Sequence, residues 1–238
     1  MSDFLFIHGS CHGAWCWRDV LPLMEELGHS ARSIDLPSHG ADRSPAEKVS
    51  LDDYADAILD AIDRPVVLVG HSMAGFPITA AAEKAPEKIS ALVYLCAYVP
   101  TPGQSLVDMR RAGPSQPLKG ALNISSDRKA YTIDPVRAAE CFFQDVEPET
   151  QSWAVSQLCP QPIEPQDTVL DLSPASTSMP RYYIRTLNDQ TIPPEYQETM
   201  AAEFDPENIF ELETSHSPFL SQPRLLCETL NKIQKALP

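Results

Sequence analysis

Ser72 is the residue best placed to do chemistry in this chain, because of what surrounds it: Val66-Val67-Leu68-Val69-Gly70-His71-Ser72-Met73-Ala74-Gly75. The continuous apolar run reads as a parallel strand covered on both faces, and small residues after it mark a sharp turn into a helix. A serine on such a turn is held in a strained backbone conformation that presents its hydroxyl, and the residues two positions away must be small, giving the pattern G-x-S-x-G. Gly70 satisfies the first position. Position 74 is alanine, one methyl larger than the pattern asks, with Gly75 immediately after. The competing interpretations are an ordinary glycine-rich strand-helix turn with an incidental serine, or a phosphate-binding loop, which needs further glycines or a lysine that this turn lacks.

A serine hydroxyl is a poor nucleophile at neutral pH and needs a base beside it. With a nucleophile on this kind of turn, the acid and then the histidine follow the serine in the chain. Of His8, His12, His29, His39, His71 and His216, only His216 lies beyond the turn, in Thr214-Ser215-His216-Ser217-Pro218-Phe219. The acid must fix the imidazole tautomer and stabilise the imidazolium. Asp189 follows the apolar run Tyr182 to Thr186 and is preferred; Asp205 precedes Pro206 at a helix end, which points to the opposite sheet edge, and Asp167 and Asp171 belong to the middle of the chain. Acyl transfer also needs donors for a developing oxyanion. The N–H of Met73 supplies one, and the N–H of Ser10, in the loop His8-Gly9-Ser10, is suited to the second.

These groups need a scaffold that brings strand ends together. Phe4 to Ile7, Ser33-Ile34, Val66 to Val69 and Ile89 to Tyr98 read as strands, separated by helical periods over Trp15 to Leu27, from Ser50 onward, and over Met73 to Lys84. Ser50 caps its helix with Asp53 three residues on. This βαβα alternation predicts an α/β fold with a mostly parallel central sheet and helices on both faces. From residue 101 to 180 proline and serine become frequent and the rhythm breaks, leaving helices over Pro135 to Gln144 and near Glu147. Alternation then returns: a strand at Tyr182 to Thr186, a helix at Pro194 to Phe204, a strand at Ile209 to Leu212 and a closing helix from Gln222 to Ala236 capped by Ser221. One domain over 1–238 is expected, with its core in 1–100 and 181–238 and an inserted cap at about 101–180.

Composition narrows the partners. With 33 acidic against 18 basic residues the net charge is −15, a field that repels phosphate backbones and anionic lipid. Neither nucleic acid nor membrane is expected as a partner. The start lacks a basic segment before Phe4 to Ile7 and the longest apolar run, Ala91 to Val99, is about half a membrane span, so a cytoplasmic location is expected. Cys11, Cys16, Cys96, Cys141, Cys159 and Cys227 form no C-x-x-C pair. They read as free thiols, without a structural zinc site. No metal or cofactor is implied, and a monomer or homodimer is expected.

With these residues in place, the chain resembles the α/β-hydrolase superfamily. Within it, the chain is similar to plant methylesterases, hydroxynitrile lyases and bacterial pyrethroid-hydrolase-like esterases. The resemblance rests on His8-Gly9-Ser10-Cys11-His12-Gly13-Ala14-Trp15, on Gly70-His71-Ser72-Met73-Ala74-Gly75, on Asp189 with Ile192-Pro193 and Glu195-Tyr196-Gln197, and on Ser215-His216. It covers both ends of the chain and hardly touches the insertion. It implies a Ser72–Asp189–His216 triad, oxyanion donors at Ser10 and Met73, and a cap over the site. Hydroxynitrile lyases of this kind carry threonine where Gly9 stands and lysine where Ser217 stands, and dehalogenases carry aspartate at the elbow. The resemblance therefore implies a serine carboxylesterase acting on a small ester, with a lyase-like or other C–C or C–N bond-cleaving enzyme and a ligand-binding receptor-like protein as the alternatives. Cys11, Phe76, Tyr98, Trp153 and Phe219 are the candidates to line an apolar pocket for a hydrophobic or aromatic substrate, along with Phe142 and Phe143. Arg110 and Arg111, near the start of the insertion, read as a solvated surface pair, with facing an anionic substrate as the less favoured alternative.

Overall fold

The computed structural model describes residues 2–237; Met1 and Pro238, the outer limits of the expected core segments, lie outside the described residues. In chain order, β1 (Asp3–Ile7), α1 (Val20–Glu26), β2 (Ser30–Ile34), α2 (Leu51–Asp60), β3 (Val66–His71), α3 (Gly75–Lys84) and β4 (Ile89–Leu95) build the first half. The chain then leaves the sheet through α4 (Leu106–Ala112), β5 (Leu122–Ile124), β6 (Ala130–Ile133), α5 (Pro135–Phe142), α6 (Pro148–Gln157), β7 (Gln161–Pro162), α7 (Glu164–Asp167) and α8 (Pro174–Thr177). It returns as β8 (Arg181–Thr186), α9 (Pro194–Ala201), β9 (Ile209–Leu212), α10 (Pro218–Ser221) and α11 (Pro223–Ala236).

The main sheet runs β2-β1-β3-β4-β8-β9, and each neighbouring pair in it is parallel. Alternate side chains of its strands enter two separate cores, as the period of two requires. Phe4, Phe6, Val67 and Val69 pack with Val20 and Met24 of α1 and Leu226, Leu230 and Ile233 of α11. Leu5, Ile7, Val66 and Leu68 pack on the other face with Tyr54 and Ile58 of α2 and Phe76 and Ile78 of α3. The capping box of α2 forms between Ser50 and Asp53 as its spacing predicts.

Parallel connectivity puts the carboxyl ends of these strands on one edge of the sheet, where ligand sites of open α/β folds form. β1 lies beside β3 with Ile7 opposite Gly70. The loop after β1 therefore adjoins the turn after β3.

Several elements differ from expectation, mostly because of proline. Trp15 to Leu27 is not one helix: a 3₁₀ turn covers Ala14–Trp17 and α1 starts at Val20. A continuous helix would place Pro22 in its interior, against the carbonyl of Arg18. Likewise Pro223 excludes the helical region for Gln222, which takes φ −142° and ψ 55°. Ser221 consequently ends α10 instead of capping α11. β4 stops at Leu95 because Cys96 adopts a φ of +35°. Residues 101–180 contain the two expected helices, as α5 and α6, and also an unforeseen antiparallel sheet in the order β5-β6-β7.

Candidate active site

β3 delivers Ser72 onto a 3₁₀ turn, Ser72–Ala74, that leads directly into α3. Ser72 sits at φ +57°, in the left-handed region, which costs an L-residue free energy and persists only where the surroundings enforce it. The Tyr98 N–H donates to the Ser72 carbonyl at 3.1 Å. A Cβ at position 75 would collide with the Tyr98 carbonyl, whereas Ala74 is accommodated fully buried. The glycine required at this crossing is therefore Gly75, which explains how the motif tolerates alanine at 74.

His216 and Asp189 meet at the same edge. The ends of β8 and β9 are tied by N–H groups of Leu187 and Asn188 donating to the carbonyls of Leu212 and Thr214. His216 Nδ1 lies 2.7 Å from Asp189 Oδ2. A carboxylate only accepts, so Nδ1 carries the proton and Nε2 is left as the acceptor. The carboxylate is held on both oxygens. Thr191 N–H and Ile192 N–H donate to Oδ1 at 2.7 and 2.9 Å; the Thr186 hydroxyl and Gln197 Nε2 donate to Oδ2 at 2.9 Å each. Gln197 is fully buried and also accepts from the Thr186 N–H. His71 Nε2 donates to the His216 carbonyl at 2.8 Å, joining the Ser72 turn to the loop of His216.

The loop after β1 is pinned from outside the core. Gln166 Nε2 donates to the Ser10 hydroxyl at 2.8 Å, and Gln161 Oε1 accepts the Cys11 N–H at 3.2 Å. His12 Nδ1 donates to the Ser10 carbonyl at 2.7 Å. Gly9 passes so close to the elbow that a Cβ there would stand 2.7 Å from His71 Nδ1 and 3.0 Å from Ser72 Cβ. Burial drives the imidazoles of His8, His12 and His71 toward the neutral form, His12 down to about 3. The Met73 N–H lies in the first turn after β3, where helix geometry leaves amide donors without internal acceptors.

Ser72, His216 and Ser10 line one cavity of about 230 Å³ together with Cys11 and Tyr98. Tyr131, Ile133, Leu122 and Phe142 add apolar wall, and Phe142 lies nearly parallel to the His216 ring at 5.8 Å. Of the candidate wall residues, Phe143 is instead buried in the core against His12 and Phe142, and three more are elsewhere. Phe76 is buried on α3 beneath the sheet's other face, and Phe219 fills core space between Trp17 and His71. Trp153 packs edge-on against Trp15 beneath the Arg18 guanidinium. All three are large apolar groups absorbed by packing, and their type alone carried no directional information. The Arg110 and Arg111 expectation also needs correction: both border the cavity, Arg110 half-buried. Asp205 is exposed just before the start of β9, at the opposite sheet edge from His216, and Asp167 and Asp171 are exposed in the insertion.

Sequence reasoning missed the residues that hold these loops. Gln161 and Gln166 grip the β1 loop. Asp145 accepts the Ser215 N–H at 2.8 Å and also the Ser215 hydroxyl. Nothing in composition or periodicity marks such residues, because their partners are backbone groups far away in the chain. His71, Cys96 and His216 place potential ligand atoms within 4.8 Å of one another. Burial keeps the Cys96 thiol protonated, and both His71 Nε2 and Cys96 Sγ donate to the His216 carbonyl. That donor set is committed to hydrogen bonds and does not suit a metal ion.

Among the described residues no helix is long and apolar enough to cross a membrane. Methylesterase 1 of Arabidopsis thaliana is 32% identical over 259 residues, spanning 98% of this chain and 95% of its own. Among solved structures, a pyrethroid hydrolase from Sphingobium faniae JZ-2 matches with a TM-score of 0.88 at 26% identity, over 99% of this chain and 98% of that one. Polyneuridine aldehyde esterase matches with a TM-score of 0.88 at 27% identity, over 98% and 99% of the two chains. Residues 4–229 match the family described as alpha/beta hydrolase; the chain belongs to that family.

Proposed function

We propose that the protein is a serine carboxylesterase that cleaves a small ester through an acyl-enzyme. The observation that carries this reading is the meeting of Ser72, strained at φ +57°, and His216, held through Nδ1 by Asp189 at 2.7 Å, on one cavity. Ser72 Oγ attacks the ester carbonyl while His216 Nε2 takes its proton. The N–H groups of Ser10 and Met73 receive the oxyanion. As the tetrahedral intermediate collapses, His216 returns the proton to the departing alcohol. Water, deprotonated by the same nitrogen, then attacks the acyl-enzyme and releases the carboxylic acid and free Ser72.

Residues 101–180 act as a cap in this scheme: Leu122, Tyr131 and Ile133 form part of the cavity wall, and their apolar character fits a hydrophobic or aromatic portion of the substrate. Ester cleavage agrees with the names of the similar methylesterases and of polyneuridine aldehyde esterase. It is also favoured over lyase chemistry, since the threonine of hydroxynitrile lyases has no room at Gly9 while His71 keeps its place. Six unpaired thiols suit a reducing compartment such as the cytoplasm.

The test is hydrolysis of a short p-nitrophenyl ester by the wild type and by Ser72→Ala. The reading requires a loss on the order of 10⁶ in kcat, as for other triad knockouts. An alanine variant with activity near that of the wild type would overturn it.

A further inference from the structure

Charge is distributed unevenly around the cavity. The chain has 33 Asp and Glu against 18 Lys and Arg. Yet among the described residues no carboxylate side chain lines the cavity, while Arg110, Arg111 and Lys119 do. Some basic groups away from the cavity are matched with acids, Lys84 with Asp52, Arg185 with Glu211 and Arg224 with Glu26, while others such as Arg32 and Arg43 bond to backbone carbonyls. Arg111 is exposed and has a loose partner in Asp108 at 3.9 Å. Arg110 has no acid within ion-pair distance among the described residues.

Arg110 is also placed by the fold. It lies in the last turn of α4, where the helix dipole favours a cation. The side-chain amide of Gln116 donates to its carbonyl and to that of Arg111, folding the following segment back against the helix end. The Tyr196 hydroxyl donates to the neighbouring Met109 carbonyl at 2.8 Å, tying α4 to α9. Half-buried Arg110 shares the cavity wall with Tyr98 and Tyr131, and its positive charge favours the ionised form of both phenols.

We infer that the substrate carries an anionic group, such as a carboxylate, away from the scissile carbonyl, and that Arg110 pairs with it. This rests on the ester-hydrolysis reading and adds a substrate class to it: half-esters of small dicarboxylic acids, or esters whose alcohol bears a carboxylate. In a protein of net charge −15, whose field as a whole repels anions, this cavity wall carries basic side chains and, among the described residues, no carboxylate.

Two matched pairs of esters test this. On the acyl side, mono-p-nitrophenyl glutarate is compared with p-nitrophenyl pentanoate; on the alcohol side, 4-carboxyphenyl butanoate with 4-acetylphenyl butanoate. The wild type should prefer the anionic member of at least one pair in kcat/KM, and added salt should weaken the preference. Arg110→Gln should lower the anionic-to-neutral ratio by about tenfold or more, the usual scale for a hydrogen bond to a charged group. Arg110→Lys should keep part of it, and Arg111→Gln, at an exposed site, should change it much less. Wild-type ratios at or below one in both pairs, or a ratio unmoved by Arg110→Gln, would overturn the inference and leave ester hydrolysis standing. No cleavage of any of the four esters, with Ser72 also unlabelled by a fluorophosphonate, would overturn both.

Discussion

Acid should destabilise this protein well before its carboxylates titrate, and His12 allows the effect to be isolated. The imidazole is buried against Trp15, Phe142 and Phe143, its Nδ1 donates to the Ser10 carbonyl, and its Nε2 has no partner among the described residues. A proton on Nε2 would create an unpaired buried cation, so burial holds the pKa down to about 3, against an ordinary 6.5. The folded value lies below the unfolded one, so the unfolded chain takes up the proton first as the pH falls. Stability contributed by neutral His12 is complete above pH 6.5 and is lost progressively as the pH drops toward 3. At about pH 5 the unfolded chain is ~1.5 units below its histidine pKa, which at about 1.36 kcal/mol per unit is ~2 kcal/mol. His12→Asn keeps a donor for Ser10 and removes the titration. Loss of ring packing should leave the variant less stable at about pH 7.5, but the gap to wild type should narrow by ~2 kcal/mol at about pH 5. Urea unfolding at both pH values measures this. His8, His39 and His71, shifted in the same direction, titrate in both proteins and cancel from the difference. A gap that stays constant across the two pH values would refute the burial argument.

Three further substitutions probe the site. Gly9→Ala places a methyl against His71, whose other nitrogen holds the His216 carbonyl. Overpacking of about 1–3 kcal/mol should reach the base, so kcat is expected to fall by roughly 10–100-fold with KM little changed in steady-state kinetics. Gln197→Leu leaves Asp189 Oδ2, the Thr186 N–H and the Ile192 carbonyl without this partner; denaturant unfolding should register a loss of about 1–3 kcal/mol, and kcat should fall with it. Asp145→Ala frees the Ser215 backbone and hydroxyl, and is expected to lower kcat about tenfold through a less ordered His216 loop.

The fold was legible where hydrophobic period and punctuation agree. Val66 to Val69 is apolar at every position because helices cover both faces of β3, and the Ser50–Asp53 box announces α2 from four residues. The prospective nucleophile, acid and base were legible for a topological reason: in a parallel sheet the residues just past strand ends share an edge, so chain order alone brings Ser72, Asp189 and His216 together. The cavity wall was not legible. Phe76 and Phe219 have the same chemistry as Tyr98 and Phe142, and only the direction of each side chain separates wall from core. Arg110 and Arg111 differ even less in sequence, yet one helical position decides which of them is half-buried at the cavity wall and which is exposed.

The insertion follows a different logic from the core, and its grip on the site explains why its sequence is hard to interpret. The end of α5 and the residues just after it reach the loops that carry Asp189 and His216: the Cys141 carbonyl accepts from the Thr191 hydroxyl, Gln144 Nε2 donates to the Asn188 carbonyl, and Asp145 accepts from Ser215. β7 and α7 do the same for the loop after β1, through Gln161 and Gln166. These are contacts between one side chain and a backbone group or hydroxyl far away in the chain, so they require no periodicity and leave no motif. They also divide the insertion by task. Its stretch from α5 to α7 holds the Asp189, His216 and Ser10 loops in register, and motion there would misplace the proposed triad. The segment between α4 and β5 instead lines the cavity with Gln116, Leu118 and Lys119; Gln116 holds it to the end of α4, and Arg137 of α5 donates to its Pro117 carbonyl. Under the proposed reading, substitutions along that segment and at Arg110 beside it change the cavity wall without removing a hydrogen-bond partner of Asp189 or of the His216 ring.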